Sequence, residues 1–146
     1  MSPHRDHFRF WQRWLQCVSA GSALAGLLFL LAPGATVLAG YNQQVIEAFH
    51  GAAPPPAALA QQRWAIAVIG AAMLGWGLLL TWVATVPFGR RELWAWRAIA
   101  LSVAVWVVGD TVVSYRAGVS LEVLWNAIVV VVIALPLVMT FRSMTP

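Results

Sequence analysis

Charge is what this sequence has least of. Charged residues make up 10% of its 146 positions, and hydrophobic residues 61%. A soluble domain carries about 25% charged residues, so a chain of this make-up cannot cover a globular surface with polar groups. The mean hydropathy of +0.77 agrees. Lysine is missing altogether, and all nine basic residues are arginine. Cysteine occurs once, as Cys17 in the first apolar run, which excludes an internal disulfide and leaves no metal-ligand spacing. A lone thiol in such a run reads as buried and inert. There is no glycine-rich phosphate loop, no Ser-His-Asp arrangement and no CxxC, and neither a cofactor nor a metal is implied. The net charge of +4 would suit an anionic partner, but the arginines stand at the ends of apolar runs, where topology explains them. Nothing points to nucleic acid.

What is abundant is long apolar sequence. Four runs approach the ~20 residues that cross a bilayer: about 14–38, 64–86, 96–115 and 121–141. In lipid each must be helical, so that its backbone hydrogen bonds are made internally. The fold expected is all-α: a single domain over 1–146, an integral membrane four-helix transmembrane bundle whose partner is the lipid bilayer.

Arginine placement orients it. Arg5, Arg9 and Arg13 precede the first span, Arg90, Arg91 and Arg97 lie between the second and third, and Arg142 follows the fourth. Only Arg63 and Arg116 lie at the other junctions. Basic residues stay on the cytoplasmic side, so both the N- and C-termini are expected to be cytoplasmic, in a multi-pass protein of a bacterial inner membrane. Trp11, Trp14, Trp94 and Trp96 mark the inner interface, and Tyr41, Trp64, Tyr115 and Trp125 the outer one. The start of the chain and VLAG (37–40) loosely resemble a signal peptide. The run from Leu15 to Leu31 is long for one, and an uncleaved first span is expected.

The outer loop, YNQQVIEAFHGAAPPP (41–56), places Tyr41, Val45 and Phe49 at helical spacing. It reads as a short amphipathic helix over about 41–52 lying at the interface, ended by Pro54–Pro56. Small residues four apart let membrane helices approach closely. They occur as Ala67, Ala71 and Gly75, beside Gly70 and Gly77, and as Ser22–Gly26 and Gly21–Ala25, so the first and second spans are expected to pack tightly. Pro136 is expected to bend the fourth span.

One carboxylate interrupts the apolar pattern. In VWVVGDTVVSYR (105–116), Asp110 lies about 7 Å below the outer end of the third span, at 1.5 Å per residue. Burying it in hydrocarbon costs several kcal/mol unless it has a partner. The short turn to the fourth span makes the two helices antiparallel neighbours, which brings Asn126 to the same depth. Thr111 and Ser114 lie close by. Arg63 is expected to reach inward from the rim, with Arg116 paired to Glu122. Asp110, Asn126, Arg63 and Ser114 therefore form the candidate polar site.

Two further groupings merit notice. Glu47 and His50 share a helix face, but di-metal bundles need two Glu-x-x-His motifs and only one is present. Trp76 and Trp106 sit deep in the second and third spans, where they could stack on a flat ligand, although deep tryptophans are commonly core or lipid-facing bulk.

The segment RWAIAVIGAAMLGWGLLL (63–80), an arginine opening a glycine-rich second span, followed by a third-span acid, resembles small bacterial four-helix inner-membrane proteins grouped as DoxX-like. The resemblance implies accessory or redox-linked membrane roles, and it carries over no catalytic residue. The functional expectation is a non-enzymatic accessory subunit, or a binder of a small apolar or amphipathic ligand in an outward-facing pocket near Asp110. It would act with a membrane protein partner or as a homodimer. The alternatives are a proton-coupled transporter acting as an oligomer, and a membrane enzyme on a lipid-like substrate.

Overall fold

A computed structural model describes residues 3–51 and 54–144, with side chains described from residue 6 onward in the first helix. Five α-helices follow one another: α1 (Pro3–Leu31), α2 (Ala39–His50), α3 (Pro56–Thr85), α4 (Leu93–Ala117) and α5 (Ser120–Met144). A single 3-10 turn, Thr36–Leu38, joins α1 to α2, and no strand occurs among the described residues.

Four helices, all but α2, are long and apolar enough to cross a membrane. No more than 28% of any of their apolar stretches is buried inside the protein. A helix that is apolar all round must bury the remainder elsewhere, and here only lipid can receive it. The molecule is a multi-pass helical membrane protein.

The helix limits differ from those read off the sequence, and prolines explain most of the difference. The first span ends at Leu31 rather than near residue 38, because Pro33-Gly34 stops it. It also starts at Pro3, not near Trp14: Phe8 is buried against Phe88, with ring centroids 5.8 Å apart, and keeps the chain helical there. The second span begins at Pro56, not near Trp64. Proline suits a first helical turn, where its missing N–H is not needed, so the last residue of the proline run opens the helix. α2 sits two residues earlier than expected and ends before Gly51, which takes a positive φ of 68°.

Packing centres on α1. Its contact with α3 is by far the most extensive, it also touches α5, and α4 packs on α5, whereas α3 and α4 barely meet. The close α1–α3 approach uses Gly26, Gly70 and Gly77. A Cβ at Gly70 would fall 2.7 Å from both the Gly26 oxygen and the Phe29 Cβ, and one at Gly77 would fall 2.8 Å from the Ala23 Cα. Gly21 and Gly75, expected on the contact face, have no neighbour within 4 Å.

Pro136 lies within an unbroken α5. Having no N–H, it leaves the Val132 carbonyl without its helical donor, and the Trp14 indole N–H of α1 donates to that oxygen at 3.0 Å. The Trp96 indole of α4 likewise donates to the Leu137 carbonyl at 2.8 Å. Two tryptophans thus anchor their helices to α5 at its proline.

Candidate functional site

The α4–α5 hairpin is closed by a two-residue turn. Gly118, in the left-handed region at φ 76°, ends α4, and its N–H returns to the Ser114 and Tyr115 carbonyls. Glycine is the residue that adopts this cap without strain. The turn sets α4 and α5 antiparallel and in register, so Asp110 and Asn126 face one another.

Asn126 is 2% exposed. Its Nδ2 donates to Asp110 Oδ2 at 2.7 Å and to Thr111 Oγ1 at 3.1 Å. A hydrogen bond contributes about 0.5–1.5 kcal/mol, so the pair of bonds links the two helices. Ser114 is buried one turn further out but makes no hydrogen bond to the Asp110 carboxylate.

Arg63 does not complete the site. It is exposed, and its guanidinium lies against Gly34 in the turn after α1. The reason is the packing order: α3 rests on α1 and barely touches α4, so its outer end faces the α1 turn and not Asp110. Glu122 takes the place given to Arg63. One turn before Asn126 on the same face of α5, its carboxyl approaches the Asp110 carboxyl and the Tyr41 hydroxyl of α2. Arg116, which is exposed, forms no ion pair with it. No arginine among the described residues forms an ion pair with Asp110 or Glu122. Burial, and then the negative charge of Glu122 and Asp110, hold the Tyr41 phenol above the usual tyrosine range.

The lid over this cluster is α2, and it is seated by polar bonds. Gln44 donates to Ser120 Oγ at 2.9 Å and accepts from the Leu121 N–H at 2.9 Å, capping the start of α5. Asn42 donates to the Pro33 carbonyl, and Gln62 of α3 donates back to Asn42. The apolar member Phe49 points outward, 63% exposed. The amphipathic pattern in 41–52 marks a helix here, and Tyr41 and Val45 of its apolar set are half-buried beside Asn42 and Gln44, while Gln43, Glu47 and His50 are exposed. Glu47 accepts a hydrogen bond from Gln43 within α2.

Trp76 and Trp106 come together at the seam between α3 and α4, with centroids 5.7 Å apart and planes at 46°. They lie ring against ring, and no slot for a flat ligand separates them.

Sequence reasoning missed Glu122 and Tyr41 as members of the site. The Glu122–Asn126 spacing of four was a usable signal, because it places both on one face of α5. Tyr41 carried none, since its position depends on how α2 folds back. Comparison of the chain with protein-family models, curated proteins and solved structures finds no match.

Proposed function

We propose that this is a non-enzymatic bacterial inner-membrane protein, an accessory or ligand-binding component with both termini cytoplasmic, in the manner of the DoxX-like proteins it resembles. Its outward-facing polar site takes the head group of a small amphipathic ligand, and the site's chemistry favours a cationic or donor-rich head. The observation that supports this reading is the pairing of two carboxyls, Asp110 and Glu122, at the outer end with no arginine among the described residues to neutralise them. A positive head group would meet both carboxyls and the Tyr41 hydroxyl, while its tail lies along the apolar helix surfaces. Inward of Asp110 the helices are filled by Val103, Ile99, Ile133 and Leu137. That apolar filling favours a site open to one side over a proton-coupled carrier.

The test compares wild type with Asp110→Asn in nanodiscs, measuring thermal stability from pH 5 to 9 and binding of dodecylammonium against dodecanol. The variant can still accept the Asn126 hydrogen bond through its amide oxygen. The expected result is wild-type-like stability with about tenfold weaker dodecylammonium binding, a loss of about 1.4 kcal/mol. A variant much less stable at every pH, or one that binds the amine as wild type does, would show that Asp110 serves only to hold α4 and α5 in register.

A further inference from the structure

At the opposite end of the bundle the arginines form a structured basic pocket. The N-terminal part of α1 lies along the turn between α3 and α4 and is fastened to it at three points. Phe8 stacks on Phe88. Gln12 Nε2 donates to the Ala84 and Thr85 carbonyls at 3.1 and 3.3 Å, satisfying acceptors left free at the end of α3. Arg91 places its guanidinium 4.7 Å from the Phe8 ring centre, a cation–π distance. Arg91 does so from a positive φ of 62°, the only such non-glycine among the described residues. Left-handed backbone at a side-chain-bearing residue persists where surrounding contacts hold it.

Between these anchors lies a depression of ≈ 350 Å³ lined by Phe8, Arg9, Gln12, Gly89, Arg90 and Arg91. Three of its six lining residues are arginine. Two carboxylates stand near, Asp6 three residues before Arg9 on α1 and Glu92, which meets Arg90 only at 3.9 Å and accepts the Trp94 indole N–H at 2.6 Å, so three arginines face two carboxylates and the pocket keeps excess positive charge. A second depression of ≈ 540 Å³ opens on a different face of α1, lined by Phe10, Arg13, Trp14, Cys17 and Val18. Arg9, which lines the first depression, and Arg13, which lines the second, stand one turn apart on α1. From Arg9 to Val18 the helix rises about 13 Å, so the second depression extends further along α1 than the basic pocket, toward the middle of the span.

We infer that this pair of depressions is a binding site for one anionic phospholipid, with the phosphate on Arg9, Arg90 and Arg91 and an acyl chain in the groove at Trp14 and Val18. Arginine's planar fork suits phosphate oxygens, and basic pockets between helices at the cytoplasmic face are the usual form of such sites. The apolar groove distinguishes a lipid from a free phosphate, which would need only the upper pocket. The site is independent of Asp110 and of the function proposed around it.

The test uses purified protein in neutral detergent, probed with phosphatidylglycerol, phosphatidylcholine and soluble glycerol phosphate. Occupancy is read by native mass spectrometry and melting temperature alongside it. Wild type should bind phosphatidylglycerol about tenfold or more tighter than phosphatidylcholine and melt higher with it, since the arginines meet a net negative head group only in the former. Arg9→Gln with Arg91→Gln should remove most of that preference. Val18→Trp, which fills the groove, should weaken phosphatidylglycerol binding, and Arg97→Gln, at the same end but outside the pocket, should leave it unchanged. Where the double variant fails to fold, Arg90→Gln, whose side chain is 71% exposed, serves instead and should reduce the preference severalfold. An equal loss in Arg97→Gln would show diffuse attraction and overturn the site. So would a wild type without preference, or full competition by glycerol phosphate, which would mark a free-anion pocket.

Discussion

At Gly70 a single missing side chain sets how closely two helices approach. A Cβ there meets α1 main-chain atoms, which cannot swing aside, whereas a Cβ at Gly75 meets nothing within 4 Å. Gly70→Ala should therefore destabilise the protein by about 1–3 kcal/mol, the usual range for overpacking. Gly75→Ala should be neutral or slightly stabilising, since alanine favours a helix over glycine by about 1 kcal/mol. Melting temperatures in one detergent decide between them, and equal effects would show that the α1–α3 contact is not as close as described. The same residue scale explains the loss of Arg63 from the candidate site. A charged side chain near a carboxylate in depth is not near it laterally, and only the contact partner of its helix says which.

The short outer helix shows what an element contributes beyond its residues. α2 buries no residue fully, so its place over the bundle rests on hydrogen bonds, with Gln44 bridging to α5 and Asn42 to the α1 turn. Gln44→Ala should detach the α2 end from α5 and leave the Leu121 N–H without its partner. Hydrogen exchange at residues 120–123 should speed up about tenfold, equivalent to ~1.4 kcal/mol of lost protection, with α1 and α3 unchanged. Unaltered exchange at the start of α5 would mean that α2 is held by something other than this cap. The periodicity of 41–52 showed that a helix forms there, but not that Asn42 and Gln44 would fasten it or that Phe49 would stay exposed. Sequence periodicity separates polar from apolar faces, and at a membrane surface either face can find a partner, since water, head groups and helix ends all border it.

At the scale of the whole molecule, the structure gathers Arg9, Arg90 and Arg91 to one end and Asp110, Glu122 and Tyr41 to the other. The orientation read from the arginines makes the first end cytoplasmic. A green fluorescent protein fused after residue 146 should then fluoresce in cells, and alkaline phosphatase fused at the same point should be inactive. The reverse pattern would place the acidic site on the cytoplasmic face.

Composition and run length alone determined that the protein is helical, with four segments long and apolar enough to cross a membrane. Hydrocarbon admits few alternatives, because every backbone polar group in it must be paired within its own segment. Local geometry determined the Asp110–Asn126 contact as well, since a two-residue turn leaves two antiparallel helices no other register. The order in which the helices pack was left to tertiary structure. α3, α4 and α5 are apolar on nearly every side, so no stripe marks which face meets which neighbour, and the α1–α3 contact forms where glycines allow the backbones to close. That order placed Arg63 beside Gly34 and set Trp76 against Trp106. It also turned Glu122 toward Asp110 and laid the arginine-bearing start of α1 along the α3–α4 turn, where the basic pocket forms.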